Sequence, residues 1–205
     1  MKINQTELLL QGYTTAFLDA GNHSNLAYRP EFVSNNPKLG KKVLVSIERE
    51  LSECDEFQIS VAFVTKIGIT PLLKTLEELE NKGIPGNFLT TDYLMFSEPE
   101  ALKKLAELKN IELKMFRIKS QSKGFHTKGY IFKKEEIYRM IIGSSNMTLS
   151  AITRSKEWNT KIVSTINGEY TREVLEEFQD LWNDPQSQSY DEFISDYTEK
   201  YMKNK

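Results

Sequence analysis

One cysteine, Cys54, is present in 205 residues, which excludes an intrachain disulfide and a thiolate-rich zinc site. Histidine is nearly as scarce. His23 and His126 are the two, so a three-histidine metal centre cannot be built from one chain. Long apolar runs are missing as well. The opening MKINQTELLLQ lacks the sustained apolar segment of a secretory signal, and no stretch approaches the roughly 20 apolar residues that span a bilayer. Charge of one sign is also missing: 27 basic and 29 acidic side chains leave a formal net charge of -2. No Gly-Lys-Ser/Thr phosphate loop occurs, which excludes an ATPase in this chain alone. The expectation is a cytoplasmic protein with no membrane partner, long enough to bury a core without crosslinks.

The two signs of charge are segregated. From Glu169 onward there are ten acids and four bases, whereas Lys103–Arg139 holds eleven bases and four acids. A local cationic surplus attracts polyanions, although a solvated surface is the simpler account of the run taken alone. Lys119 and Lys123, in a polar stretch, are the cations expected near a substrate groove.

Residues 1–40 are rich in Asn, Gly and Pro and read as irregular. Spaced apolar positions predict helices over 41–54, 70–83 and 97–110, the second with Pro71 near its start and Gly83 after its end. β-Branched and aromatic runs predict strands over 56–64, 84–91 and 111–118. This alternation implies parallel strands with helical crossovers. The rhythm then changes. TKGYIFKK and EIYRMIIG read as consecutive strands joined around Lys134–Glu136, followed by a short helix in MTLSAITRS and a strand over 158–165. Helices are expected over 169–184 and 189–204, separated by a polar linker around Pro185–Ser189. The fold class expected is α/β: an α/β/α sandwich with a mixed, mainly parallel sheet of six or seven strands. One domain is expected over 1–184, with its core at 41–184, and a C-terminal helical extension or linker over 185–205.

Chemistry concentrates between residues 124 and 159. His126 and Lys128 are two apart, which on a strand puts imidazole and ammonium on one face. Gly143–Ser144–Ser145–Asn146 follows an apolar strand. Glycine allows a tight exit and close backbone approach, while Ser144 and Asn146 supply neutral hydrogen-bonding groups. Glu157 leads the next strand. A neutral imidazole can attack phosphorus to give a phosphohistidine. Lys128, Ser144 and Asn146 can hold the non-bridging oxygens, and Glu157 can fix the imidazole tautomer. No metal or cofactor is required. This is half a site, because in-line displacement needs a nucleophile on one side and an acid on the other. His23 has no lysine partner, so a two-fold dimer that brings two copies of His126 together completes the site more simply. Ser145 and Cys54 read as structural, Trp158 and Trp182 as packing anchors. Tyr130 and Phe132 either line a groove or sit in the sheet.

The series His126–Thr127–Lys128, Gly143–Ser144–Ser145–Asn146 and Glu157 resembles the signature of phospholipase D-like phosphodiesterases. The phrase FHTKGYIF…IIGSSNMT…EWN is most similar to the nuclease domains at the N-terminus of bacterial superfamily 2 helicases and to related restriction endonucleases. The family's aspartate position falls on Lys133. The resemblance covers about residues 40–183. It implies metal-independent hydrolysis of DNA, with His126 as nucleophile and leaving-group acid from two chains. Lys128 and Asn146 would be phosphate ligands and Glu157 the orienting carboxylate. It further implies a homodimer and an associated or covalently linked helicase module. The alternatives are a catalytically weak DNA-targeting domain and a hydrolase of phospholipids or small phosphodiesters.

Overall fold

The computed structural model describes residues 26–118 and 124–204. The readings of His23, Lys119 and Lys123 fall outside the described residues.

Three strands carry the parallel part of the sheet. β2 (Glu56–Val61) pairs with β3 (Gly86–Thr91), and β3 pairs with β4 (Ile111–Phe116). The crossovers carry α2 (Lys66–Ile69) and α3 (Leu73–Asn81), then α4 (Pro99–Ala106). Ahead of β2 lies α1 (Val43–Glu53), which buries Val43, Ile47, Glu50 and Leu51 along one stripe. β2 is buried along nearly its whole length, as expected of a central strand covered on both faces.

Antiparallel strands follow. β5 (Lys128–Lys134) pairs with β2 on one side and β6 (Ile137–Gly143) on the other, and β7 (Asn159–Thr165) extends β6. α5 (Leu149–Thr153) fills the β6–β7 connection, and its Thr148 side chain caps the Ala151 N–H. α6 (Glu169–Asn183) covers one sheet face, and α7 (Tyr190–Lys203) packs on the other.

The mixed α/β sandwich expected from the sequence is what forms, with three corrections. Among the described residues two pairings are parallel and five antiparallel, so parallel pairing does not predominate. The β5–β6 turn at Glu135–Glu136 is too short for a crossover, which needs a dozen or more residues. Among the described residues the sheet has eight strands, in the order β1-β7-β6-β5-β2-β3-β4-β8. The two extra ones are short edge strands: β1 (Glu31–Val33) in the stretch read as irregular, and β8 (Ser187–Ser189) in the stretch read as a linker. Finally, α7 is part of the main core, since Phe193, Tyr197 and Tyr201 are buried in it.

One face of the sheet meets α1, α3, α4 and α7 in the larger core, where Phe57, Phe88, Tyr130 and Phe132 are almost fully buried. The other meets α6 through a smaller cluster of Leu89, Ile131, Met140, Phe178 and Trp182. Trp182 anchors packing as expected, stacking on Phe178 at 5.7 Å. Trp158 does not: it is 74% exposed and touches Phe32 edge-on. A buried charge network ties the β7 side together. Lys161 reaches Glu31 at 2.6 Å and Glu50 at 3.2 Å, and Arg139 reaches Glu50 at 3.5 Å.

Candidate active site

The strand register brings the sequence-predicted residues to one end of the sheet. β5 begins at Lys128, opposite Val61 on β2, and β6 ends at Gly143, opposite Asn159. The segment before β5 and the loops leaving β6 and entering β7 therefore meet at the same edge.

His126 and Lys128 are in contact. The Lys128 Nζ lies 2.6 Å from His126 Nδ1 and donates to the His126 carbonyl oxygen at 2.7 Å. Lys128 is only 7% exposed. Burial, more than any partner, holds its ammonium below the ordinary lysine value, and the Glu157 carboxylate acts in the opposite direction. His126 is exposed, and its pKa is lowered from the ordinary 6.5 by desolvation first and by the Lys128 charge second. Both effects favour the neutral imidazole. With an ammonium donating to Nδ1, the hydrogen-bond pattern assigns the ring proton to Nε2. His126 packs edge-on against Phe63 and Tyr93, with ring centroids 6.3 and 6.2 Å away.

Ser144, Asn146 and Glu157 complete the edge. The Ser144 hydroxyl donates a short hydrogen bond to the Glu157 carboxylate and accepts from the Trp158 N–H at 3.0 Å. Asn146 Oδ1 accepts from the Phe63 N–H at 3.1 Å, which leaves its NH₂ group to donate elsewhere. Ser145 is buried and structural, as read from the sequence; its N–H donates to Asn159 Oδ1 at 3.2 Å and its carbonyl accepts from Tyr130 at 2.9 Å.

Two sequence readings change. Glu157 was expected to accept from the imidazole, yet within the chain its partner is Ser144, and it reaches Lys128 through charge alone. Asn159 had no assigned role. It is buried, and its Nδ2 donates to Ser145 Oγ at 2.9 Å and to the Val33 carbonyl at 3.1 Å. It fixes the Ser144–Asn146 loop, and its place at the end of the EWN phrase was the available signal. Lys133, at the family's aspartate position, sits at the far end of β5, five residues or ~16 Å from Lys128 at about 3.3 Å per residue. There it pairs with Glu56 at 3.7 Å, so the departure leaves the site intact.

Among the described residues no three His, Cys, Asp or Glu side chains cluster as metal ligands, and no helix is long and apolar enough to cross a membrane. The groups present can bind an anion through Lys128 and the Asn146 NH₂ group and move a proton at His126, while the Ser144 hydroxyl is committed to Glu157 and Trp158.

The family described as "Cardiolipin synthase, PLD-like domain" matches residues 48–182. No curated protein sequence matches the chain. Among solved structures the chain is similar to Nuc, a phospholipase D family member from Salmonella typhimurium, with TM-score 0.60 and 19% identity over 79% of this chain and 99% of that one. It is similar to NucT from Helicobacter pylori, with TM-score 0.61 and 14% identity over 78% and 98%. It also resembles the yeast tyrosyl-DNA phosphodiesterase, with TM-score 0.50 and 13% identity over 85% of this chain and 41% of that one.

Proposed function

The chain belongs to the phospholipase D-like family by residues 48–182, and from that premise we propose that it is a metal-independent phosphodiesterase acting on DNA as a two-fold dimer. The observation that carries the reading is the His126–Lys128 contact beside Ser144, Asn146 and Glu157 at one sheet edge. Five groups suited to phosphate chemistry converge there. The cationic stretch Lys103–Arg139 and the name of the tyrosyl-DNA phosphodiesterase support DNA over other diesters. The similarity of FHTKGYIF and GSSN to helicase-linked nuclease domains supports a place beside a helicase or restriction module.

In the proposed reaction the phosphodiester draws Lys128 Nζ onto a non-bridging oxygen. That frees Nδ1 to carry the ring proton and leaves the Nε2 lone pair to attack phosphorus. The P–N bond forms as the P–O bond to the leaving nucleoside breaks. The second copy of His126, which takes up a proton to become the imidazolium when the anionic phosphodiester binds, protonates the departing oxygen and becomes neutral. Water then attacks the phosphohistidine, giving its proton to that second histidine, and the P–N bond breaks. Lys128 and the Asn146 NH₂ group hold the equatorial oxygens in both steps, and Ser144 keeps Glu157 in place.

The test is cleavage of labelled single- and double-stranded DNA in excess EDTA. Intact protein is expected to cut, and His126→Ala to lose at least about 10³-fold in turnover with its fold kept. Mixed dimers of intact and His126→Ala chains should have little activity, because each site needs both histidines. Activity abolished by EDTA and restored by Mg²⁺, or full activity from a dilute monomer, would overturn the mechanism.

A further inference from the structure

A groove of about 480 Å³ opens beside His126 and Lys128, between the sheet and α6. Cavities of this size accept small-molecule or nucleoside-sized groups. Its floor is a row of three residues that oppose one another across strands: Ser60 on β2, Gly129 on β5 and Ile142 on β6. Gly129 keeps that floor low. A Cβ at this position would meet no atom within 4 Å, and the backbone there is not left-handed. The chain conformation does not demand glycine, so its missing side chain is open space.

The surroundings define an occupant. The wall from α6 is apolar, formed by Val174, Phe178 and Leu181. Glu173 and Glu177, one turn apart on the same helix, stand at the groove. Neither has an ion-pair partner among the described residues. Where the groove meets the catalytic pair, the Ser60 and Thr127 hydroxyls lie 2.5 Å apart. An acyl chain would cover the apolar wall but cost both carboxylates water without offering a donor. A second phosphate would be repelled by both. A planar, uncharged group that bears N–H donors satisfies wall and carboxylates together.

We propose that this groove is a subsite for one nucleoside of the substrate, next to the phosphate at Lys128. The base lies over Gly129 against α6 and donates to Glu173 and Glu177, and the sugar meets Ser60 and Thr127. The inference rests on the DNA phosphodiesterase reading and gives it a preference for unpaired nucleotides, since a base held this way is out of its duplex.

Equilibrium binding of a single-stranded DNA dinucleotide containing 2-aminopurine, compared with dimethyl phosphate, tests it. The intact protein should bind the dinucleotide at least about 10-fold more tightly, with quenched base fluorescence. Gly129→Leu, which fills the floor, should erase most of that preference while melting at the temperature of the intact protein. Should Gly129→Leu fail to fold, Glu173→Gln combined with Glu177→Gln carries the test, with an expected loss of about 3- to 10-fold. A preference that survives in both variants overturns the subsite. So does a Gly129-dependent affinity for dihexanoyl phosphatidylglycerol in a protein indifferent to the dinucleotide, which would assign the groove to an acyl chain. Gly129-dependent dinucleotide binding without DNA cleavage would instead sink the hydrolase reading and keep the subsite.

Discussion

At the scale of single residues, the His126–Lys128 contact sets the protonation behaviour of the site. Partial desolvation and the neighbouring ammonium both disfavour the imidazolium, so the histidine is neutral at pH values where an unperturbed one would be partly charged. A titration of His126 by NMR should place its midpoint below 6.5, and Lys128→Met should move that midpoint upward by removing the charge. A midpoint unchanged in the variant would mean that desolvation acts alone. The sign for stability follows. The folded chain binds this proton less readily than the unfolded chain, so the contribution is complete above the ordinary 6.5 and is lost as pH falls through the lowered folded value. Cys54 is the contrasting case. It is buried, its thiol is pushed up to about 11 chiefly by desolvation, and its Sγ donates to the Leu51 carbonyl. It is a small packing group, not a nucleophile.

At the scale of elements, the site depends on how closely β6 can approach the entry to β7. Ser144 N–H donates to the Trp158 carbonyl at 3.2 Å, and this brings the serine hydroxyl onto Glu157. Gly143 permits the approach. A Cβ there would overlap the Trp158 carbonyl oxygen and lie 2.6 Å from the Asn159 Cα. Gly143→Ala should therefore separate the two strands locally, cost about 1–3 kcal/mol of stability as an overpacking change, and lower DNA cleavage beyond what that loss explains. Denaturant unfolding beside single-turnover kinetics checks both. Activity and stability equal to those of the intact protein would show that the β6–β7 end is not under steric constraint. The GSSN phrase was legible as a tight exit with hydrogen-bonding groups. Its dependence on Trp158 and Asn159 was not, because those hydrogen-bond partners lie 14 residues away and meet it only through pairing register.

At the scale of the whole molecule, the C-terminal segment is part of the same body as the site. β8 covers the outer edge of β4, an edge that would otherwise be open to pairing with other chains. α7 buries Phe193, Tyr197 and Tyr201 in the larger core, and the Tyr197 hydroxyl donates to the Ser97 carbonyl at 2.6 Å. Arg117, just past β4, bridges Asp92 at 2.9 Å and Asp196 on α7 at 2.5 Å. Each buried aromatic contributes about 1.5–3 kcal/mol, so three of them rival much of the ~5–15 kcal/mol that holds a domain together. Truncation after Asp184 should abolish cooperative thermal unfolding and leave an aggregation-prone chain, as read by circular dichroism and light scattering. A truncated protein that melts sharply near the intact temperature would make this segment an appendage.

Local pattern alone was enough to determine most elements and the chemical core. Apolar spacing of three and four marks α1, α3, α4 and α6. Runs of β-branched and aromatic residues mark the six long strands. A spacing of two keeps His126 within reach of Lys128, although His126 lies just ahead of β5 and not on it. All of these are short-range properties, written into consecutive residues and the fixed periods of helix and strand. Tertiary structure decided the rest. Edge strands of three residues carry no signal of their own and exist because β7 and β4 offer unpaired backbone. The antiparallel majority follows from which neighbours β5 and β6 find. Glu157 pairs with Ser144 instead of His126, and Gly129 becomes the floor of a groove, because strand register and the seating of α6 place them so. Contacts between residues far apart in the chain depend on packing that no local window contains.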